Sequence, residues 1–327
     1  MNILIADSGI IPAKKYGGTE RVIWYLGKEL VRMGHKVTFL VRRGSVCDFA
    51  EVLFLDLKRK LTEQIPASTD IVHFNFVPEE PIEKPYLITN HGNCNDFREF
   101  DLNTVFVSKD HARRFGSDSF VYNGLDLGDY GKPDLDRRRD YFHFLGKAAW
   151  RVKNVRGAID VIKAAKTEKL MVLGGHRLNL KMGFRLTLSS KVSFRGMVGG
   201  DEKNMLLQKS KGLIFPVRWH EPFGLALIES LYFGCPVFGT PYGSLPEIVI
   251  PEVGFLSCRT SELARAIRNV GDYSAKTCQE YVADQFNSRK MAEAYLEKYG
   301  RVLNGIRLNE RPPQLVEKQS VKLLDWE

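Results

Sequence analysis

The sequence predicts an α/β protein built as two doubly wound domains, and three observations carry that reading. Short apolar runs alternate with stretches of helical period through most of the chain, the pattern of parallel sheets joined by crossover helices. The alternation lapses once, over 123–140, where Gly, Asp and Arg gather around Pro133, and resumes with Phe142-His143-Phe144-Leu145-Gly146. A length of 327 residues exceeds one small domain and suits two of moderate size.

Strands of the first domain, expected over 1–135, are placed at 2–6, 37–41, 52–55, 71–74, 86–89 and 104–107. Between the first two, Val22, Ile23, Leu26, Leu30 and Val31 recur at helical spacing over 20–33, and Gly34 stands where a helix-ending glycine belongs. The second domain, expected over 136–300, has strands at 142–146, 170–173, 192–194, 213–215 and 236–238. Helices are expected there at 155–165, 202–209 and 223–233, and a further one at 293–302. The remaining tail, 301–327, contains Pro312-Pro313 and shows no period; packing back on the first domain is its expected fate. A cleft between two such domains is a default ligand site.

Composition narrows the class. Hydrophobic content of 44% and charged content of 27% are ordinary for a soluble globular chain. No run of 18 apolar residues exists, and the N-terminus reads as a first strand without the features of a signal peptide, so a cytoplasmic location is expected. Cys47, Cys94, Cys235, Cys258 and Cys278 are scattered and never form a Cys-x-x-Cys pair, which points to a reduced compartment and away from a metal site. The net charge of +9 describes either a solvated surface or attraction to phosphates. Peripheral contact with an anionic membrane stays open on that charge, whereas nucleic acid is disfavoured because no aromatic-interleaved basic motif occurs.

Four motifs carry chemistry. The first runs from Arg218 to Glu229 and follows an apolar strand ending in Pro216. Glu221-Pro222 suits a helix start, Gly224 lets a ligand approach the backbone closely, and first-turn N–H groups can receive a pyrophosphate. Glu229 would lie about 12 Å further along the axis. Two such carboxylates could contact hydroxyls on both sides of a diphosphate; alternatively, Glu221 merely complements the helix dipole. The second is Gly146 to Asn154, where Lys147 and Lys153 on a strand-to-helix loop either converge on one phosphate or belong to a solvated basic loop. The third is Tyr16-Gly17-Gly18-Thr19-Glu20-Arg21, a phosphate-approach loop or a plain flexible one. Neither it nor Gly174-Gly175-His176 fits the dinucleotide fingerprint, which disfavours nicotinamide chemistry. The fourth is Thr89-Asn90-His91-Gly92 at a strand end facing the expected crevice, with His73 as a competing strand-end histidine.

Together these residues resemble the glycosyl transferases group 1 family of retaining enzymes with the two-domain GT-B fold. The family's Glu-x7-Glu motif falls on Glu221 and Glu229, its phosphate pair on Lys147 and Lys153, its glycine-rich loop on Gly17-Gly18, and its cleft histidine on His91. Asn123-Gly124-Leu125-Asp126 resembles the motif closing the family's first domain, and Gly234-Cys235-Pro236-Val237 with Gly243-Ser244-Leu245-Pro246-Glu247 resembles its late signatures. Lys147 stands where the family usually has Arg, and Arg218-Trp219-His220 is bulkier than usual.

The resemblance implies two Rossmann-like domains facing across a donor-binding cleft, the first on the acceptor side and the second on the donor side. It implies transfer of a hexose-type sugar from a nucleoside-diphosphate sugar to a glycan, lipid-linked or small-molecule acceptor, with retention and without metal or cofactor, in surface polysaccharide, lipopolysaccharide or other glycoconjugate synthesis. His91, Lys147, Lys153 and Glu221 are the implied catalytic residues. Gly17, Gly18, Lys147, Lys153, Pro222, Phe223, Gly224, Leu225 and Glu229 are the implied donor contacts. A nucleotide-sugar 2-epimerase on the same fold and a catalytically inactive nucleotide-sugar-binding protein are the competing expectations.

Overall fold

The structure, a computed structural model, describes residues 1–13, 17–180, 182 and 184–327. It divides into two compact units: Met1–Asp126 with Phe286–Gln319, and Leu127–Gln285 with Ser320–Glu327.

The first unit opens β1 (Asn2–Ala6), α1 (Gly18–Arg32), β2 (Lys36–Val41), β3 (Glu51–Phe54), β4 (Ile71–Phe74), β5 (Tyr86–Asn90), β6 (Thr104–Phe106) and α2 (Lys109–Arg114). Its six strands are all parallel, in the order β3-β2-β1-β4-β5-β6. Near-continuous apolar runs such as Ile3-Leu4-Ile5-Ala6 suit strands covered on both faces.

The second unit runs α3 (Leu127–Tyr130), β7 (Tyr141–Leu145), α4 (Val155–Ala165), β8 (Leu170–Leu173), β9 (Leu178–Asn179), β10 (Arg185–Leu186), β11 (Val192–Phe194), α5 (Gly200–Gln208), β12 (Ser210–Phe215), α6 (Leu225–Tyr232), β13 (Val237–Gly239), α7 (Leu245–Ile248), β14 (Gly254–Leu256), α8 (Thr260–Arg268) and α9 (Ala275–Gln285). Its main sheet, β11-β8-β7-β12-β13-β14, repeats the strand order of the first, and β9 and β10 form a separate antiparallel hairpin. Phe142, Phe144, Val172, Ile214 and Phe238 of the sheet pack with Ile159 and Ile162 of α4 and Leu263 and Ile267 of α8.

The chain then returns to the first unit as α10 (Ser288–Leu303). Asn123-Gly124-Leu125-Asp126 receives it. Leu125 bridges Asn287, a Cβ on Gly124 would lie 2.2 Å from the Asn287 carbonyl oxygen, and Asp126 pairs with Lys28 at 2.7 Å and Arg32 at 3.1 Å.

The domain bounds expected from sequence are corrected accordingly. The first unit ends at Asp126 rather than 135, because the linker residue Tyr130 is buried in the second unit. Helix α10 leaves the 136–300 block, since Tyr295 and Tyr299 bury against β4 and β5 through His73 and Thr89. The tail divides: 301–319 joins the first unit, as expected, but 320–327 packs on the second, where Thr260 N–H donates to the Glu327 carbonyl at 2.7 Å. Among the described residues no helix is long and apolar enough to cross a membrane.

Candidate active site

In the second unit β7 and β12 are parallel neighbours at mid-sheet, and the chain leaves them toward opposite edges, β7 to β8 and β12 to β13. Such a switch in winding direction opens a crevice beyond the carboxyl ends of the two strands. Both leading motifs occupy it: 146–154 follows β7 and 216–224 follows β12.

The two loops are stitched together. Asn154, at φ 53°, accepts from the Gly157 N–H at 3.0 Å to cap α4, and its side-chain amide donates to the Pro216 carbonyl at 3.0 Å. The Arg218 N–H donates to the Val152 carbonyl at 2.7 Å. Gly174-Gly175, outside any dinucleotide pattern, lies against this loop: a Cβ on Gly174 would sit 1.9 Å from the Gly146 carbonyl oxygen.

Here Lys153 and Glu221 meet. Lys153 Nζ lies 2.6 Å from Glu221 Oε2, and both residues are buried. Trp219 Nε1 donates to the same oxygen at 2.8 Å, and the ammonium stands 4.9 Å over the Trp219 ring and 5.2 Å over that of Phe215. Lys147 is exposed instead, its ammonium 5.1 Å from the Trp150 ring. Between it and Lys153 stand Trp150 and Trp219, whose centroids are 6.4 Å apart. The sequence pattern placed both lysines on this loop; the structure buries one in an ion pair and leaves the other at the surface.

The expected helix start at Glu221-Pro222 is corrected. Glu221 pairs in a parallel bridge with Gly243, and the Ser244 N–H donates to the Glu221 carbonyl at 2.9 Å. Extended backbone held this way cannot enter a helix. Pro222 and Phe223 are therefore buried loop residues, Gly224 turns at φ 85°, and α6 begins at Leu225. Gly224, Leu225 and Ala226 remain partly exposed, so the start of α6, where a helix leaves first-turn N–H groups without internal partners, lies at the crevice. The late signature braces them: Ser244 Oγ donates to the Phe223 carbonyl at 2.7 Å, and Thr240 Oγ1 to that of Val217 at 2.6 Å.

Glu229 lies only about one turn into α6, not about two as expected, because the helix starts later. Tyr130 donates to Glu229 Oε1 at 2.6 Å, and Lys203 of α5 forms an ion pair with the same oxygen while standing 5.1 Å over the Tyr130 ring. All three residues are buried. His143 of β7 ties the helix down, with Nε2 2.8 Å from Ser230 Oγ and Nδ1 2.6 Å from Ser210 Oγ.

Tyr130, Lys203 and His143 escaped the sequence reading. A glutamate inside an apolar helix demands a buried counter-charge, but its source stood 26 residues away in a weakly patterned helix.

In the first unit β1 and β4 flank the equivalent switch. Asn75 follows β4 and is pinned by its N–H to the Ala6 carbonyl at 3.0 Å. His91, just past β5, sets Nε2 2.8 Å from Asn75 Oδ1, so this nitrogen carries the hydrogen. Burial pushes the imidazole down to about 4, leaving it neutral at physiological pH. The competing His73 is excluded from any crevice: it is buried between Tyr299 at 2.8 Å and Thr89 at 2.7 Å.

Gly17 and Gly18 open α1, while Tyr16 lies outside the described residues. A Cβ on Gly17 would lie 2.7 Å from Glu20 Oε2, and one on Gly9 would lie 2.6 Å from Asp7 Oδ2. The loop expected to admit phosphate is therefore lined by two carboxylates; burial, reinforced by Glu20, raises the Asp7 carboxyl.

Residues 139–272 match the family model described as Glycosyl transferases group 1. An uncharacterized 42.6 kDa protein in the cps region of Klebsiella pneumoniae is 29% identical over 93 residues, spanning 28% of this chain and 24% of that protein. AviGT4, a glycosyltransferase involved in avilamycin A biosynthesis, superposes with a TM-score of 0.75 at 21% identity, covering 93% of this chain and 98% of its own. Anabaena Alr3699/HepE in complex with UDP-glucose gives 0.64 at 15% identity, covering 92% and 99%. The two parallel-sheet, Rossmann-like units thus have the GT-B fold of these glycosyltransferases, and residues 139–272 are similar to the glycosyl transferases group 1 family.

Proposed function

We propose that this protein is a cytoplasmic, retaining, metal-independent glycosyltransferase. It moves a hexose-type sugar from a nucleoside-diphosphate sugar to a glycan, lipid-linked or small-molecule acceptor in surface polysaccharide or glycoconjugate synthesis. The observation that carries this reading is the buried Lys153–Glu221 pair beside the open first turn of α6. Two further N–H donors remain on an ammonium that gives one to Glu221. Together with the α6 N–H groups and the exposed charge of Lys147 they would stabilise negative charge on a departing diphosphate.

In this scheme Glu221 positions the donor sugar and Glu229 receives the ribose. Pro222, Phe223, Gly224 and Leu225 form the donor's backbone cradle. His91, neutral at working pH, hydrogen-bonds a sugar hydroxyl. Gly17 and Gly18, with the Glu20 carboxylate against Gly17 and Asp7 nearby against Gly9, suit hydroxyls better than phosphate. The UDP-glucose bound by the Anabaena protein and the cps location of the Klebsiella relative agree with this setting.

A thermal-shift screen over UDP, GDP, ADP and dTDP and their sugars tests it. The matching nucleotide at about 100 times its Kd should stabilise by about 2.7 kcal/mol. Lys153→Ala should slow turnover far more than it weakens binding, EDTA should leave turnover unchanged, and the product should keep the donor's anomeric configuration. A screen without any responding nucleotide, or wild-type turnover in Lys153→Ala, overturns the assignment.

A further inference from the structure

The hairpin of β9 and β10, beside the outer side of the 146–154 loop, presents a surface that glycosyl transfer does not explain. Leu180 is 72% exposed, Phe184 63%, Met182 57% and Leu188 84%. Single exposed apolar residues are unremarkable, but a cluster of them on one short hairpin marks an interaction surface. The same stretch is devoid of acid: from 169 to 200 there is no Asp or Glu, against Lys169, Arg177, Lys181, Arg185, Lys191 and Arg195.

Beside the hairpin lies a cavity of about 340 Å³ lined by Trp150, Arg151, Arg156, Phe184, Arg185 and Arg218, among others, with no carboxylate. None of these four arginines is in an ion pair among the described residues. Their recorded partners are neutral: Arg156 donates to the Phe184 carbonyl at 2.6 Å, Arg218 to that of Leu324 at 2.6 Å, and Arg185 to Thr187 Oγ1 and the His176 carbonyl, each at 2.9 Å. Neutral acceptors take some of the guanidinium hydrogens but leave the positive charge uncancelled. Burial, with Arg156 nearby, holds Arg185 below its ordinary value.

We infer that this face docks on an anionic lipid bilayer, the hairpin side chains entering the acyl boundary and the arginine-lined cavity taking an anionic headgroup. Phe184 and Met182 belong to both features, being exposed on the hairpin and lining the cavity. Apolar side chains with surrounding cations are the composition of interfacial anchors. A second copy of this chain fits worse, since it would bring the same uncompensated cations to the contact. The inference does not rest on the transfer reading, because an inactive protein would dock equally.

Sedimentation of the full chain with vesicles tests it. Wild type should pellet with mixed phosphatidylglycerol and phosphatidylcholine vesicles at low salt, and release as salt shortens the Debye length from about 10 Å at 0.1 M to about 3 Å at 1 M. Pure phosphatidylcholine should retain little. Leu180→Ser with Leu188→Ser should lower the bound fraction about tenfold or more, and Arg156→Gln about fivefold. Because these leucines are already exposed, folding should be intact, as circular dichroism would verify. Equal binding to neutral vesicles, or full binding by the double variant, overturns the inference. So does a thermal shift with inorganic phosphate but no vesicle binding, or a wild-type dimer in ultracentrifugation that the double variant abolishes.

Discussion

Removing the charge of Lys203 should unfold the second unit more readily than almost any other single change to its helices. Lys203 and Glu229 are each 3% exposed and Tyr130 is 6% exposed, so Lys203→Met strands a carboxylate where water cannot compensate it. Breaking a buried pair from one side costs about 3–5 kcal/mol, against a total stability of about 5–15 kcal/mol for an ordinary domain. Tyr130→Phe removes one hydrogen bond to a charged acceptor and should cost about 1.5–3 kcal/mol. Replacing both charges, as Lys203→Met with Glu229→Gln, keeps an acceptor for Tyr130 and should recover at least about 2 kcal/mol of the single-variant loss. Equilibrium urea unfolding followed by tryptophan fluorescence reads this out, since Trp150, Trp219 and Trp326 lie in the second unit and only Trp24 in the first. A loss under about 1 kcal/mol in Lys203→Met, or no recovery in the double variant, would show that Glu229 does not depend on this lysine.

Two further outcomes follow from the packing. Gly243→Ala places a methyl 2.3 Å from the Glu221 nitrogen at a φ of +64°, so it should cost at least about 3 kcal/mol and abolish nucleotide-induced stabilisation; Gly271→Ala, with nothing within 4 Å, is the matched control and should be nearly silent. Burial pushes His73, His111 and His143 each down to about 3, so the folded state binds fewer protons than the unfolded one below about pH 6.5. Their stabilisation is complete above that pH and is lost toward about 3, at about 1.4 kcal/mol per pH unit for each, so the urea midpoint should fall steeply between pH 7 and 5; a flat profile would contradict their neutral burial.

The central strands were legible because they are buried on two faces, which writes them as nearly continuous apolar runs; 2–6, 71–74 and 170–173 needed no adjustment. Helix α4 was equally plain, as Asn154 caps it and the apolar positions repeat to Ala165. What stayed hidden depends on contacts far apart in sequence. The start of α6 was misplaced because Pro222 carries a local signal for a helix start, while the bridge from Gly243 that forbids one is a tertiary fact. The tail was illegible for the same reason, its last residues being held by backbone bonds to Cys258 and Thr260. Hairpin β9–β10 escaped because two-residue strands carry too little alternation to register as a pattern.

Two buried ion pairs within one unit are an energetic oddity that bears on function. Replacing such a pair with apolar residues of similar volume is often neutral or stabilising, so stability alone does not account for keeping them. Lys153–Glu221 sits at the carboxyl ends of β7 and β12, and Lys203–Glu229 grips the helix that follows β12. Elsewhere the same sheet buries Phe142, Phe144, Ile214 and Phe238 with no charge among them. The cost is therefore concentrated where the winding direction reverses, and where a helix start is partly exposed. Local rules of packing are broken at functional sites and compensated by the surrounding structure. Here the compensation is visible in Trp219, Tyr130 and Ser244, which hold the two carboxylates and their backbone in fixed positions. A site prepared this way can meet a charged ligand without first reorganising, which is the condition for electrostatic stabilisation of a leaving group.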